Sequence, residues 1–373
     1  MLEKLLALPI EKKIGQLLFI GLPSTELDSE TKELLREYSP GGVCLFARNI
    51  HEAAQTRHLI ENTREILPVE PLLSLDQEGG LVDRLRRITE PMPAPSSLKT
   101  PANARTLAEI TAEVVRILGF NMNFAPVVDV INELRTNSYN GLYSRAFGKS
   151  KSEVVEFARE YLEILQENGC LGCLKHFPGL GASQVDSHEE QPNVYLTREE
   201  LFEIDLLPYR RLFPTGKVYS VMIAHASFPR FDLQETDNNG KLLPSSLSYN
   251  IVTKLLRQEL GFNGIAITDD LEMGAIVKNY GIGEACQKAI LAGEDMLAIC
   301  AGPESIREGF NSILDAVKSE RISESRIDES LGRIAQIKSL IQPALPFDTE
   351  RLQTLSDKIS QLNKNITEDT QVA

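Results

Sequence analysis

The stretch SEVVEFAREYLEILQENG (152–169) runs straight into LGCLKHF (171–177), separated by a single Cys170. The first segment repeats apolar residues at helical spacing and stops at Gly169, a residue suited to ending a helix. The second is a short apolar run without polar alternation, the pattern of a parallel strand buried on both faces. A helix feeding a buried strand is the repeating unit of an α/β fold.

The same unit recurs along the chain. Apolar runs occur at 14–22, 41–48, 71–76, 120–130, 171–177, 218–226, 264–270 and 295–300. Helical patterns lie between them, as in SETKELLREY (29–38) and ANARTLAEITAEVVRILG (102–119). Eight strands alternating with helices predict a single-domain (β/α)8 barrel, irregular in places, with extended βα loops over 1–342. A doubly wound open sheet is the alternative, but no GxGxxG follows the first strand. Residues 343–373 are expected to add a helical extension with a frayed tail.

Composition narrows the partners. The 373 residues carry a net charge of −14, which argues against nucleic acid and anionic membrane surfaces. No stretch is long and apolar enough to span a bilayer. The N-terminal apolar run, Leu5–Ile10, is broken by Pro9 and is too short for a signal h-region. The five cysteines sit in apolar runs and read as buried free thiols. A cytoplasmic protein is the expectation; oligomeric state cannot be read.

In a barrel the chemistry sits at the C-terminal ends of the strands. Those ends carry Asp76, Asp129, Lys175 with His176, His225, and Asp269 with Asp270. Five polar strand ends converging on one face outweigh the plainer reading of helix caps and loop salt bridges. Cys170-Leu171-Gly172-Cys173 is half a zinc site at most, and buried thiols explain it better. Gly179-Leu180-Gly181 lacks the Lys and Ser/Thr of a P-loop and reads as a sharp bend. Histidines and aspartates could bind a metal, but no His-x-His occurs on an early strand. No metal and no cofactor are therefore expected.

Asp186-Ser187-His188 has the spacing an acid–base unit needs. A carboxylate two residues from an imidazole can fix its tautomer and stabilise its protonated form. A solvent-exposed polar loop is the plainer reading. Asp269 and Asp270 point to opposite sides of their strand, so at most one faces the barrel mouth. That one could serve as a glycosyl nucleophile while its neighbour caps the next helix. Position alone does not choose between them.

Together, KHFPGLG…DSH, GFNGIAITDDLEMGAI, LLSLDQEGG, NFAPVVDV and MIAHASFP resemble the bacterial β-N-acetylhexosaminidases of glycoside hydrolase family 3. The likeness runs in order from about residue 10 to 340. It implies a barrel without a second sandwich domain, and a retaining enzyme that removes terminal β-linked N-acetylglucosamine. It implies Asp269 as nucleophile, and His188 with Asp186 as acid/base pair. It implies Asp76, Arg84, Arg145, Lys175, His176, Met222 and His225 as substrate-pocket residues. A muropeptide-derived carbohydrate is the implied substrate. Two departures stand out: Leu180 where the family more often has His, and Leu81 where it often has Arg. A glycoside phosphorylase on the same fold, a metal-dependent barrel hydrolase and a non-catalytic sugar-binding protein are the competing readings. The absence of Trp disfavours a long polysaccharide platform.

Overall fold

The computed structural model describes residues 1–372 except 133–134, 136–140, 186 and 188–189, with the backbone alone over 369–372. Each apolar run contains a strand. They are β1 (Leu18–Gly21), β2 (Gly42–Leu45), β3 (Leu72–Leu75), β4 (Met122–Asn123), β5 (Leu171–Gly172), β6 (Leu174–Phe177), β7 (Ser220–Ile223), β8 (Ile265–Thr268) and β9 (Leu297–Ile299). The fifth run is split into β5 and β6, so nine short strands fill eight barrel positions. Cys173 marks the break, and its N–H donates to the Ala125 carbonyl at 2.9 Å.

All named pairings are parallel. One sheet runs β5-β4-β3-β2-β1-β9 and the other β6-β7-β8. Single parallel bridges join them, Val127 to Lys175 on one side and Ile267 to Met296 on the other. The ring therefore closes as a (β/α)8 barrel, which removes the open edges an eight-stranded sheet would carry. Every residue of these strands is buried, which is why their sequences show no polar alternation.

The helices form the outer layer, with apolar faces turned inward. Helix Lys151–Glu167 is capped by Ser150, whose Oγ accepts the Glu153 N–H. It buries Val154, Phe157, Ala158, Tyr161, Leu162, Ile164 and Leu165. Gly169 then takes φ +81°, turning the chain into β5. A last helix, Thr349–Val372, buries Leu352, Leu355, Ile359, Leu362 and Ile366 and packs on helix Pro101–Ile117. Among the described residues, no helix is long and apolar enough to cross a membrane.

Candidate active site

The C-terminal ends of the strands surround a cavity of about 310 Å3. Asp76, Arg84, Arg145, Lys175, His176, Met222 and Asp269 all line it. Loop β3 supplies the first two. Gln77 staples that loop: its Nε2 donates to Asp83 Oδ1 at 2.8 Å, and its Oε1 accepts the Arg84 N–H at 2.9 Å. Met92 N–H donates to the other Asp83 oxygen at 2.9 Å, which closes the loop on itself.

At the centre lies a compact charge network. Lys175 Nζ is 2.7 Å from Asp76 Oδ1 and 2.6 Å from Glu78 Oε1. Arg145 grips the same Glu78 with two bonds, Nε to Oε2 at 2.8 Å and Nη2 to Oε1 at 2.9 Å. Burial alone would raise the Glu78 carboxyl, but Arg145 and Lys175 hold it well below the ordinary carboxylate range. Burial works against charge on Lys175 too, and Asp76 and Glu78 overcome it, raising its pKa. Both groups are therefore ionised, and they fix each other in place. Arg84 reaches Asp76 at 3.7 Å. Its buried Nε meets no acceptor among the described residues.

Glu78 is a functional residue that sequence reading did not place in the site, and Asp129, read as a strand end, was given no role there. Asp129 Oδ2 accepts from His176 Nδ1 at 2.8 Å, and Oδ1 accepts the Leu180 N–H at 2.6 Å. One carboxylate thus orients the imidazole and ties down the bend after β6. Glu78 was visible only as the third residue of DQEGG, with nothing to mark it as an anchor for side chains 67 and 97 positions away.

The bend depends on its glycines. Gly179 has φ +135°, and a Cβ there would lie 2.6 Å from Asp205 Cβ. A Cβ on Gly181 would meet the Val130 carbonyl at 2.2 Å. Leu180 is buried in the core and does not line the cavity; its backbone N–H is what serves the site. Leu81 is 71% exposed.

Opposite the charge network, β8 ends in the two aspartates. The Asp269 N–H donates to the Ile223 carbonyl at 3.0 Å, and the Asp270 N–H donates to Asp269 Oδ1 at 2.9 Å. Asp270 also lines the cavity. Its Oδ1 accepts N–H groups from Glu272 (3.1 Å) and Cys300 (3.2 Å). Burial pushes its carboxyl up to about 7.

His225, expected in the substrate pocket, is placed behind it instead. It is fully buried, with Nδ1 2.7 Å from Ser246 Oγ and Nε2 3.0 Å from the Asp270 carbonyl. Its bonds go to Ser246 and to the Asp270 backbone, partners the MIAHA run does not reveal. Asp186 and His188 lie outside the described residues. Ser187, between them, is described: it is buried, and its carbonyl accepts the Ala275 N–H at 3.3 Å.

A barrel whose strand ends hold carboxylates and cations around a cavity near the lower end of small-ligand pockets, about 300–1,000 Å3, fits a small-molecule enzyme site. The comparisons with known proteins agree. The model of the glycosyl hydrolase family 3 N-terminal domain matches residues 9–337. A β-hexosaminidase of Tolumonas auensis is 31% identical over 334 residues, covering 86% of this chain and 93% of that protein. One from Actinobacillus pleuropneumoniae serotype 3 is 32% identical over 310 residues, covering 81% and 85%. Among solved structures, a family 3 β-N-acetylglucosaminidase from a Paenibacillus species superposes with a TM-score of 0.86 at 34% identity. That match covers 95% of this chain and 69% of the Paenibacillus chain.

Fold and site define the class, a barrel glycoside hydrolase. More particularly, the chain belongs to glycosyl hydrolase family 3.

Proposed function

We propose that the chain is a retaining exo-β-N-acetylhexosaminidase that releases terminal β-linked N-acetylglucosamine through a covalent glycosyl–Asp269 intermediate. The observation that carries this is the Asp269 carboxylate in the cavity wall, one oxygen held by the Asp270 N–H. It faces a rigid network of Asp76, Glu78, Lys175, Arg145 and His176.

In the reaction, Asp269 attacks the anomeric carbon and the aglycone oxygen leaves with a proton from His188. His188, oriented by Asp186, then deprotonates the water that releases the sugar. Two inversions give net retention. An Asp-assisted imidazole can work as acid and then base near neutral pH without the deep burial a Glu would need. The Ser187–Ala275 bond supports this reading, because it ties the loop carrying both residues to the segment just beyond Asp269. Asp76, Arg84, Lys175, His176 and Arg145 bind the sugar hydroxyls with their positions already paid for in the folded state.

The small cavity favours a single terminal sugar over an internal stretch of polysaccharide. The relatives carry β-hexosaminidase names. A muropeptide-derived substrate and a cytoplasmic setting complete the proposal.

The test is hydrolysis of an aryl β-N-acetylglucosaminide by wild type, Asp269→Ala and His188→Ala, with and without phosphate. Asp269→Ala should lose essentially all turnover. His188→Ala should lose less on substrates with good leaving groups than on poor ones. Near-normal turnover in Asp269→Ala would sink the covalent mechanism. Release of a sugar 1-phosphate in place of free sugar would make the enzyme a phosphorylase.

A further inference from the structure

Two fully buried side chains outside the cavity, Ser246 and His225, are hydrogen-bonded to each other and to the Asp270 carbonyl, and the Asp270 N–H in turn holds the Asp269 carboxylate. We infer that Ser246 is a positioning residue for the nucleophile, acting by holding the His225 ring whose other nitrogen bonds the Asp270 carbonyl. This inference rests on the reading of Asp269 as the attacking carboxylate.

The argument starts at Asp270. Its carbonyl can only accept, so the His225 nitrogen 3.0 Å away, Nε2, must carry the proton. His225 is neutral, because burial lowers its pKa. A neutral imidazole protonated at Nε2 has a lone pair at Nδ1, and that lone pair needs a donor. The Ser246 hydroxyl, 2.7 Å from Nδ1, is that donor. In the other tautomer, two lone pairs would face each other across the Nε2–carbonyl contact.

The hydroxyl is held firmly enough to do this. Ser246 lies in the single 3-10 turn Ser245–Leu247, which is strapped to the chain on both sides of His225. The Ser246 N–H donates to the Ala224 carbonyl at 3.2 Å. The Ser245 N–H and Oγ both donate to the Ala226 carbonyl, each at 2.7 Å. The turn, in effect, brackets the histidine.

At the other end, the backbone of the two aspartates is clamped. Ile223 holds the Asp269 N–H, His225 holds the Asp270 carbonyl, and Glu272 and Cys300 hold the Asp270 side chain. The Asp270 N–H is then aimed at Asp269 Oδ1. This bond draws charge toward one carboxylate oxygen and sets the plane in which the carboxylate meets the anomeric carbon. A small rotation of that plane is the kind of misplacement that costs rate and leaves ground-state sugar binding alone. Among the described residues, none of Asp76, Arg84, Arg145, Lys175 and His176 is hydrogen-bonded to Ser246 or His225.

The experiment compares wild type, Ser246→Ala and Ser246→Thr by steady-state kinetics, thermal melting and histidine side-chain nitrogen NMR, with the His225 signals assigned from His225→Asn. Wild type should show His225 protonated at Nε2, and so should Ser246→Thr. Ser246→Ala should leave His225 protonated at Nε2 and move its Nδ1 signal, because that lone pair loses its donor. It should lower kcat by about 10- to 100-fold with KM within about threefold, as loss of a supporting hydrogen bond typically does. Ser246→Thr should recover kcat to within about threefold of wild type.

A wild-type His225 protonated at Nδ1 would overturn the inference even if Ser246→Ala failed to fold. So would full kcat in a folded Ser246→Ala, or a kcat loss that Ser246→Thr does not rescue. Asp269→Ala, assayed alongside, separates the two readings. If it remains active, the nucleophile assignment falls. If it is inactive while Ser246→Ala is fully active, only the positioning role falls.

Discussion

Asp129 shows how much one carboxylate can organise. Its two oxygens hold a side chain and a backbone N–H of different residues, His176 and Leu180, at 2.8 and 2.6 Å. Asp129→Asn would put an amide N–H against one of these donors. The expected result is a loss of about 10- to 100-fold in kcat/KM on an aryl glycoside, since supporting partners of site residues typically cost that much. Unchanged kcat/KM would mean that the His176 orientation is irrelevant to turnover. Asp270 gives a prediction about pH. Its folded pKa of about 7 lies above the value of about 3.9 expected when unfolded. Between these values the folded protein keeps a proton that the unfolded chain has released, so this group's stabilisation falls as pH rises from about 4 through 7 and levels off above. Asp270→Asn keeps an oxygen for the Glu272 and Cys300 N–H groups and removes the titration. Urea midpoints at pH 5 and pH 8 should therefore differ less in the variant than in wild type. An identical pH dependence in both would show that Asp270 is not held neutral.

Elements far from the cavity also bear on it. The last helix, Thr349–Val372, reaches the β3 loop directly. Ser356 Oγ accepts the Glu90 N–H at 2.8 Å, and Asn363 Nδ2 donates to the Pro91 carbonyl at 3.0 Å. The next residue, Met92, is bonded to Asp83, and Asp83 to Gln77 between Asp76 and Glu78. The helix seats itself through apolar residues three and four apart, with Ile359 at its middle and fully buried. Ile359→Ala should cost about 2–5 kcal/mol, the usual range for such a truncation in a packed core. Urea unfolding measures this. A change below about 1 kcal/mol would show that the helix is not part of the cooperative unit.

At the scale of the whole molecule, the barrel was legible because each buried parallel strand left an apolar run and each helix an amphipathic one. Strand-end positions then pointed to one face, and Asp76, Lys175, His176 and Asp269 meet there around one cavity. What could not be read was direction. The MIAHA run cannot say that His225 bonds Ser246, 21 residues on. DQEGG cannot say that Glu78, which lines the cavity with Asp76, is gripped by both Lys175 and Arg145. These are outcomes of long-range hydrogen bonding and ion pairing, in which the partner decides where the side chain points. The split of the fifth strand at Cys173 is similar: both halves are apolar, and only the change of neighbour from β4 to β7 separates them.

The central claim is that the barrel works through a covalent bond to Asp269. The direct measurement is mass spectrometry of the enzyme after incubation with a slow fluorinated N-acetylglucosaminyl donor, followed by proteolysis. The account predicts one added sugar per chain, on the peptide containing Asp269, with the label released when the donor is removed and the enzyme turns over. A label on another residue, or complete turnover of the donor by Asp269→Ala, would contradict it.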